Sequence, residues 1–133
     1  MDDKLRSAIE ALKTALDESA ELKEYRKAKE KYENNKRLMN LIGEYNLQAS
    51  LLEQEGRKSG EEREETLLQS ISDRLRRLYD ELDDEPDLAA MRDAEEKLTA
   101  VINEINYAVR FTVDPAQAVE CTHDCSTCGG CGR

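Results

Sequence analysis

Residues 35–82 decide the fold, and they read NKRLMNLIGEYNLQASLLEQEGRKSGEEREETLLQSISDRLRRLYDEL. Apolar residues recur every three or four positions on both sides of a polar segment with a glycine at each end, Gly56 and Gly60. This period is typical of amphipathic helices, and the glycine-bounded segment is typical of a loop. The sequence predicts one helix over residues 35–55, the most buried of the chain, and another over residues 61–82. We expect Gly43, inside the first of these helices, to mark close packing against a neighbour.

The same period predicts three more helices, over residues 3–16, 19–33 and 86–111. Asp2 or Asp3 and Ser19 are suited to cap the first two, and Pro86 suits the first turn of the last. In that last helix we expect seven buried side chains: Leu88, Met91, Leu98, Val101, Ile102, Ile105 and Val109. The predicted fold is all-α, an elongated antiparallel bundle of four to five helices with a flexible cysteine-rich C-terminal tail.

The composition limits the classes of protein to which this chain can belong. The chain has 133 residues, 38% of them apolar and 38% charged, with a net charge of −10. Such acidity disfavours binding to duplex DNA, which depends on neutralising phosphates. No apolar signal segment opens the chain and no stretch is long and apolar enough to span a membrane, so we expect a soluble, cytoplasmic protein.

The chain changes character after Asp114, and all four cysteines follow this point. We therefore divide it into a helical domain over residues 1–113 and a metal-binding tail over residues 114–133. The tail ends in CTHDCSTCGGCGR, with the spacing C-x3-C-x2-C-x2-C. The thiolates that this spacing brings close together, those of Cys121, Cys125, Cys128 and Cys131, are soft metal ligands.

The cysteine segment could take three forms. Disulfides are the least favoured, because cytosolic thiols stay reduced. Structural zinc is the alternative, although its ligand pairs are usually separated by a longer loop than the one here. An iron–sulfur cluster is preferred, because ferredoxin-type ligand runs use the same three gaps in the reverse order.

Catalytic constellations are scarce in this sequence. His123, the only histidine, lies between two cysteines, and we interpret it as an exposed loop residue rather than as a ligand or base. Neither a glycine-rich phosphate loop nor a pair of carboxylates placed for acid–base chemistry stands out. We expect a protein that is not an enzyme.

One stretch reverses the overall charge. Residues 21–37 hold seven basic and four acidic side chains, interleaved with Tyr25 and Tyr32. Basic side chains with stacking aromatics could form an RNA platform, but a solvated face whose tyrosines belong to the helix seam is preferred. The candidate RNA or partner face comprises Lys23, Arg26, Lys27 and Arg37, and direct nucleic-acid binding is not expected. Residues 61–96 have a net charge of −9, so the two segments could meet across a subunit interface.

Several segments together resemble the YlbF/YmcA family of bacterial all-helical proteins. They are LKTALDES at 12–19, EYRKA at 24–28, LEQEG at 52–56, EPDLAAMRDAE at 85–95 and the helix through Ile105, so the resemblance covers about residues 4–111. The cysteine-rich end is similar to that of the cysteine-bearing members.

The resemblance implies a non-catalytic regulator. Such members associate with related helical subunits and an unrelated partner into a complex that holds [4Fe–4S] clusters. The narrow apolar seams of the helices separately predict burial against a second copy, so we expect a homodimer or a hetero-oligomer with related helical subunits. That complex influences mRNA processing by the endoribonuclease RNase Y, and through it competence, sporulation and biofilm formation. Only the four cysteines carry over from the family as ligands.

Overall fold

The chain folds into five α-helices in a computed structural model that describes residues 1–58, 60 and 64–116. They are α1 (Asp3–Glu18), α2 (Ala20–Asn34), α3 (Lys36–Gly56), α4 (Glu65–Asp83) and α5 (Pro86–Val113). No strand occurs among the residues described. The prediction of an all-α fold with four to five helices is confirmed.

The core lies between α3 and α4, which run antiparallel. Glu44 of α3 pairs with Arg74 of α4, and nearer the loop the backbone N–H of Glu64 donates to the Glu55 carboxylate at 2.9 Å. Leu38 and Leu78 are fully buried between the helices. Packing of two apolar stripes, rather than helix propensity, is what stabilises such a pair.

Two predictions about this hairpin were wrong. The helix predicted from residue 61 begins at Glu65, because Glu64 has an extended backbone and precedes the helix as its cap residue. A Cβ added at Gly43 would meet no atom within 4 Å, so this glycine does not serve close packing.

Ser19 lies between α1 and α2 and caps both helices. Its N–H donates to the Leu16 carbonyl at 3.1 Å, and its Oγ accepts from the Leu22 N–H at 3.2 Å. The extended backbone of Ser19 changes the chain direction between the two helices, and near this break Arg26 pairs with Asp17 at 2.6 Å. The apolar stripe of α1 is nevertheless exposed, since none of its residues is buried.

The break between α2 and α3 lies beside the break between α4 and α5. Asn35 accepts from the Leu38 N–H at 3.0 Å, which caps α3, and its amide donates to Asp87 at 2.9 Å. Asn35 is therefore the N-cap of α3. Both breaks are thereby held by one side chain.

Contacts divide the chain into two compact units, Met1–Glu96 and Lys97–Arg133. In the second unit the described residues form one helical segment, the C-terminal part of α5. Ile102 and Val109, which the periodicity predicted as buried, are 42% and 59% exposed. That prediction was wrong because no second helix of this unit, within the part described, covers them.

Candidate metal centre and basic face

The cysteine segment begins five residues beyond the last described residue, Ala116. The four predicted ligands, Cys121, Cys125, Cys128 and Cys131, and also His123, therefore lie outside the described residues. α5 ends at Val113, and the division into a helical domain and a metal-binding tail after this residue stays a prediction. Within the described ranges, no group of three or more histidine, cysteine or acidic side chains converges as a metal site.

Hydrogen bonds of Asp114 mark the end of α5. The Asp114 N–H donates to the Arg110 carbonyl at 2.8 Å, and the Asp114 carboxylate accepts from the Ala116 N–H at 3.1 Å. Pro115 has no N–H to continue the helix. The helix thus ends in a turn at residues 114–116.

Chemically, the cysteine segment suits a thiophilic metal or cluster. It supplies four thiolates within eleven residues, next to small side chains and three glycines. Thiolates are the usual ligands of iron–sulfur clusters, and they also bind zinc. The donor set fits either group.

The four residues of the candidate basic face differ in whether they form ion pairs. Arg26 and Arg37 already form ion pairs, with Asp17 and Glu85 respectively. Lys23 and Lys27, one helical turn apart on α2, are exposed and form no ion pair among the described residues. The uncompensated positive charge of this face therefore comes from two lysines rather than four basic groups.

The tyrosines of the basic stretch are oriented inward. Tyr25 and Tyr32 are half-buried, and Tyr32 lines a cavity of about 280 Å³ together with Tyr45 and Tyr79. A ring that is partly covered in this way offers less surface for base stacking than a fully exposed one. The arrangement favours the interpretation of α2 as a solvated face with its tyrosines in the seam.

Sequence reasoning missed two buried carboxylates. Glu55 is 4% exposed and Glu85 is 6% exposed. Glu55 accepts from the Glu64 N–H and pairs with Lys58 at 2.7 Å, and Glu85 pairs with Arg37 at 3.1 Å. Each is a structural anchor at a helix junction. Their positions in acidic runs gave no signal that distinguished them from solvated neighbours.

None of the described helices has the length and apolarity to cross a membrane. No match was found among curated proteins, nor among solved structures.

One family model does match the chain. It is described as control of competence regulator ComK, YlbF/YmcA, and it covers residues 5–114. The matched region includes nearly all of the five helices and ends before Cys121. The chain therefore belongs to the YlbF/YmcA family, which is linked to the regulation of competence.

Proposed function

We propose that this protein is a non-catalytic regulatory subunit that binds an iron–sulfur cluster, of the [4Fe–4S] type, through Cys121, Cys125, Cys128 and Cys131. The observation that carries the proposal is the set of four closely spaced cysteines on a chain of a regulator family. The protein would act in the cytoplasm, where reducing conditions keep these thiols available.

The cluster, when bound, would supply a centre that can change its oxidation state. The role of this chain's own residues is to hold it: four thiolates provide the ligands, and Gly129, Gly130 and Gly132 let the backbone turn closely around it. Ser126 and Thr127 have hydroxyls that can donate to sulfur. These hydrogen bonds and the local charge set the properties of such a centre.

The helical region would supply the contacts to other subunits. It belongs to a family linked to competence, and its described part exposes apolar side chains on α1 and α5. We propose that it works in a complex with related helical subunits that influences mRNA processing by RNase Y. Direct RNA binding by the basic face of α2 and the first turn of α3 is not part of the proposal, since Arg26 and Arg37 are engaged in ion pairs.

Complementation tests the regulatory role. In bacterial cells lacking this protein, the wild-type chain should restore processing of RNase Y-dependent transcripts and competence. A variant with serine at all four cysteine positions should accumulate to the same level and fail to restore either. Full restoration by that variant would show that the function does not need the cysteines, and failure of the wild-type chain would contradict the regulatory role itself.

A further inference from the structure

An open cavity of about 280 Å³ lies where parts of α2, α3, α4 and α5 meet. Its walls include the rings of Tyr32, Tyr45 and Tyr79, one from each of the first three of these helices. The chain has five tyrosines in all, so most of them are gathered around this cavity. Every lining residue belongs to the compact unit Met1–Glu96, so the site is built within that unit.

The three tyrosine rings are not engaged in stacking or polar contacts of the fold. Among the described residues, none of them stacks on another aromatic ring, and none of their hydroxyls forms a hydrogen bond. Ile42 and Leu82 add apolar surface between them. Aromatic and aliphatic walls with a few polar groups are typical of small-molecule sites. The rings therefore leave the space between them open to a ligand.

Two side chains of opposite charge line the same cavity and do not pair with each other. They are Asp83, the last residue of α4, and Arg92, in the second turn of α5. Both are exposed, and neither forms an ion pair within the described part of the chain. A purely cationic ligand would meet the guanidinium of Arg92, and a purely anionic ligand would meet the carboxylate of Asp83. A ligand with one charge of each sign can satisfy both groups.

The chemistry of the lining groups narrows the two charges of such a ligand. The face of an aromatic ring attracts cations, and sites built from several rings bind alkylated ammonium groups. An arginine guanidinium forms paired hydrogen bonds with a carboxylate. Cavities that hold drug-sized ligands measure about 300–1,000 Å³, so this cavity suits a smaller molecule.

We propose that this cavity binds a small zwitterion that carries an alkylated ammonium group and a carboxylate. The ammonium group lies among the three tyrosine rings and near Asp83, and the carboxylate pairs with Arg92. The site contains no cysteine, so it does not depend on which metal the cysteines bind.

Isothermal titration calorimetry of the full-length chain with glycine betaine tests this site, because that molecule joins a trimethylammonium group to a carboxylate. The wild type should bind it with a dissociation constant below about 1 mM. The anion of tert-butylacetic acid has the same shape without the positive charge, and choline has the ammonium group without the carboxylate. Each should bind about tenfold more weakly than glycine betaine. Absence of glycine betaine binding, or an equal affinity for either analogue, would overturn the proposal.

Matched substitutions at Tyr79 test the role of the rings. Tyr79 is 55% exposed, so its variants should keep the helical circular dichroism of the wild type. Tyr79→Phe keeps the ring and should leave the affinity for glycine betaine within about twofold, whereas Tyr79→Leu should weaken it about tenfold. Equal affinities of the phenylalanine and leucine variants would contradict binding by the aromatic rings.

The carboxylate contact has its own matched pair. Arg92→Gln should weaken glycine betaine binding about tenfold and remove the preference for glycine betaine over choline. Arg6→Gln removes the same charge from an exposed position of α1 that does not line the cavity, and it should leave both affinities unchanged. Unchanged binding by the Arg92 variant, or an equal loss in the Arg6 variant, would overturn the assignment of Arg92 to the carboxylate.

Discussion

Glu55 shows how a single side chain closes the central hairpin. Its carboxylate accepts from the Glu64 backbone at the start of α4 and pairs with Lys58 in the connecting segment. Buried polar groups of this kind are costly to leave without partners. Two residues earlier, Glu53 pairs with Arg57 on the surface, with both side chains well exposed.

This contrast gives a matched pair of substitutions. Glu55→Ala should lower the free energy of unfolding by about 1–3 kcal/mol, because the Glu64 N–H loses its acceptor. Glu53→Ala should cost at most about 1 kcal/mol, as exposed ion pairs contribute little. Both substitutions replace glutamate by alanine near the end of α3. The difference between their free energies of unfolding in urea therefore measures the effect of burying the Glu55 carboxylate. Equal losses would contradict the anchoring role of Glu55.

Gly43 offers a stabilising substitution. It lies inside α3, and a Cβ at this position meets open space. Gly43→Ala should therefore raise the free energy of unfolding by about 0.5–1 kcal/mol, since alanine restricts the unfolded chain and favours the helix. Thermal unfolding monitored by circular dichroism measures the change. A lower melting temperature would mean that the glycine has a packing role after all.

Between elements, Asn35 holds two helix junctions together. Asn35→Ala removes both the cap of α3 and the hydrogen bond to Asp87, and it should cost about 2 kcal/mol. Asn34→Ala is the control, because Asn34 is exposed at the end of α2 and should change stability by less than about 0.5 kcal/mol. Urea unfolding of both variants measures the two free-energy losses. A larger loss at Asn34 would contradict the capping assignment.

Most helix limits could be predicted because their signals are local, but the start of α4 could not. Ser19, Pro86 and the glycines at 56 and 60 mark changes of backbone direction, and the three- and four-residue spacing fixes which side of each helix is apolar. Burial could not be predicted in the same way. Leu5 and Val109 have the same helical spacing as Leu38, yet only Leu38 has a helix packed over it. Periodicity says which side is apolar, and tertiary contacts decide whether that side is covered.

In the whole molecule, the helices indicate the family, and the cysteines separately indicate the metal site. The family match covers residues 5–114 and establishes what kind of helical protein this is. The cysteines follow that region, so their role rests on ligand chemistry and spacing. The spacing could predict the kind of site because closely spaced thiolates need no distant residues to converge on a metal. It could not choose between iron–sulfur and zinc on geometric grounds, since four thiolates suit both.

Metal analysis distinguishes an iron–sulfur cluster from zinc at the four cysteines. The full-length chain should be purified without oxygen and analysed for iron, acid-labile sulfide and zinc, alongside the variant with serine at Cys121, Cys125, Cys128 and Cys131. The proposed iron–sulfur site predicts a brown wild-type protein with iron and sulfide in equal amounts, and a colourless variant that lacks both. A colourless wild-type protein containing only zinc, or iron retained by the serine variant, would contradict it.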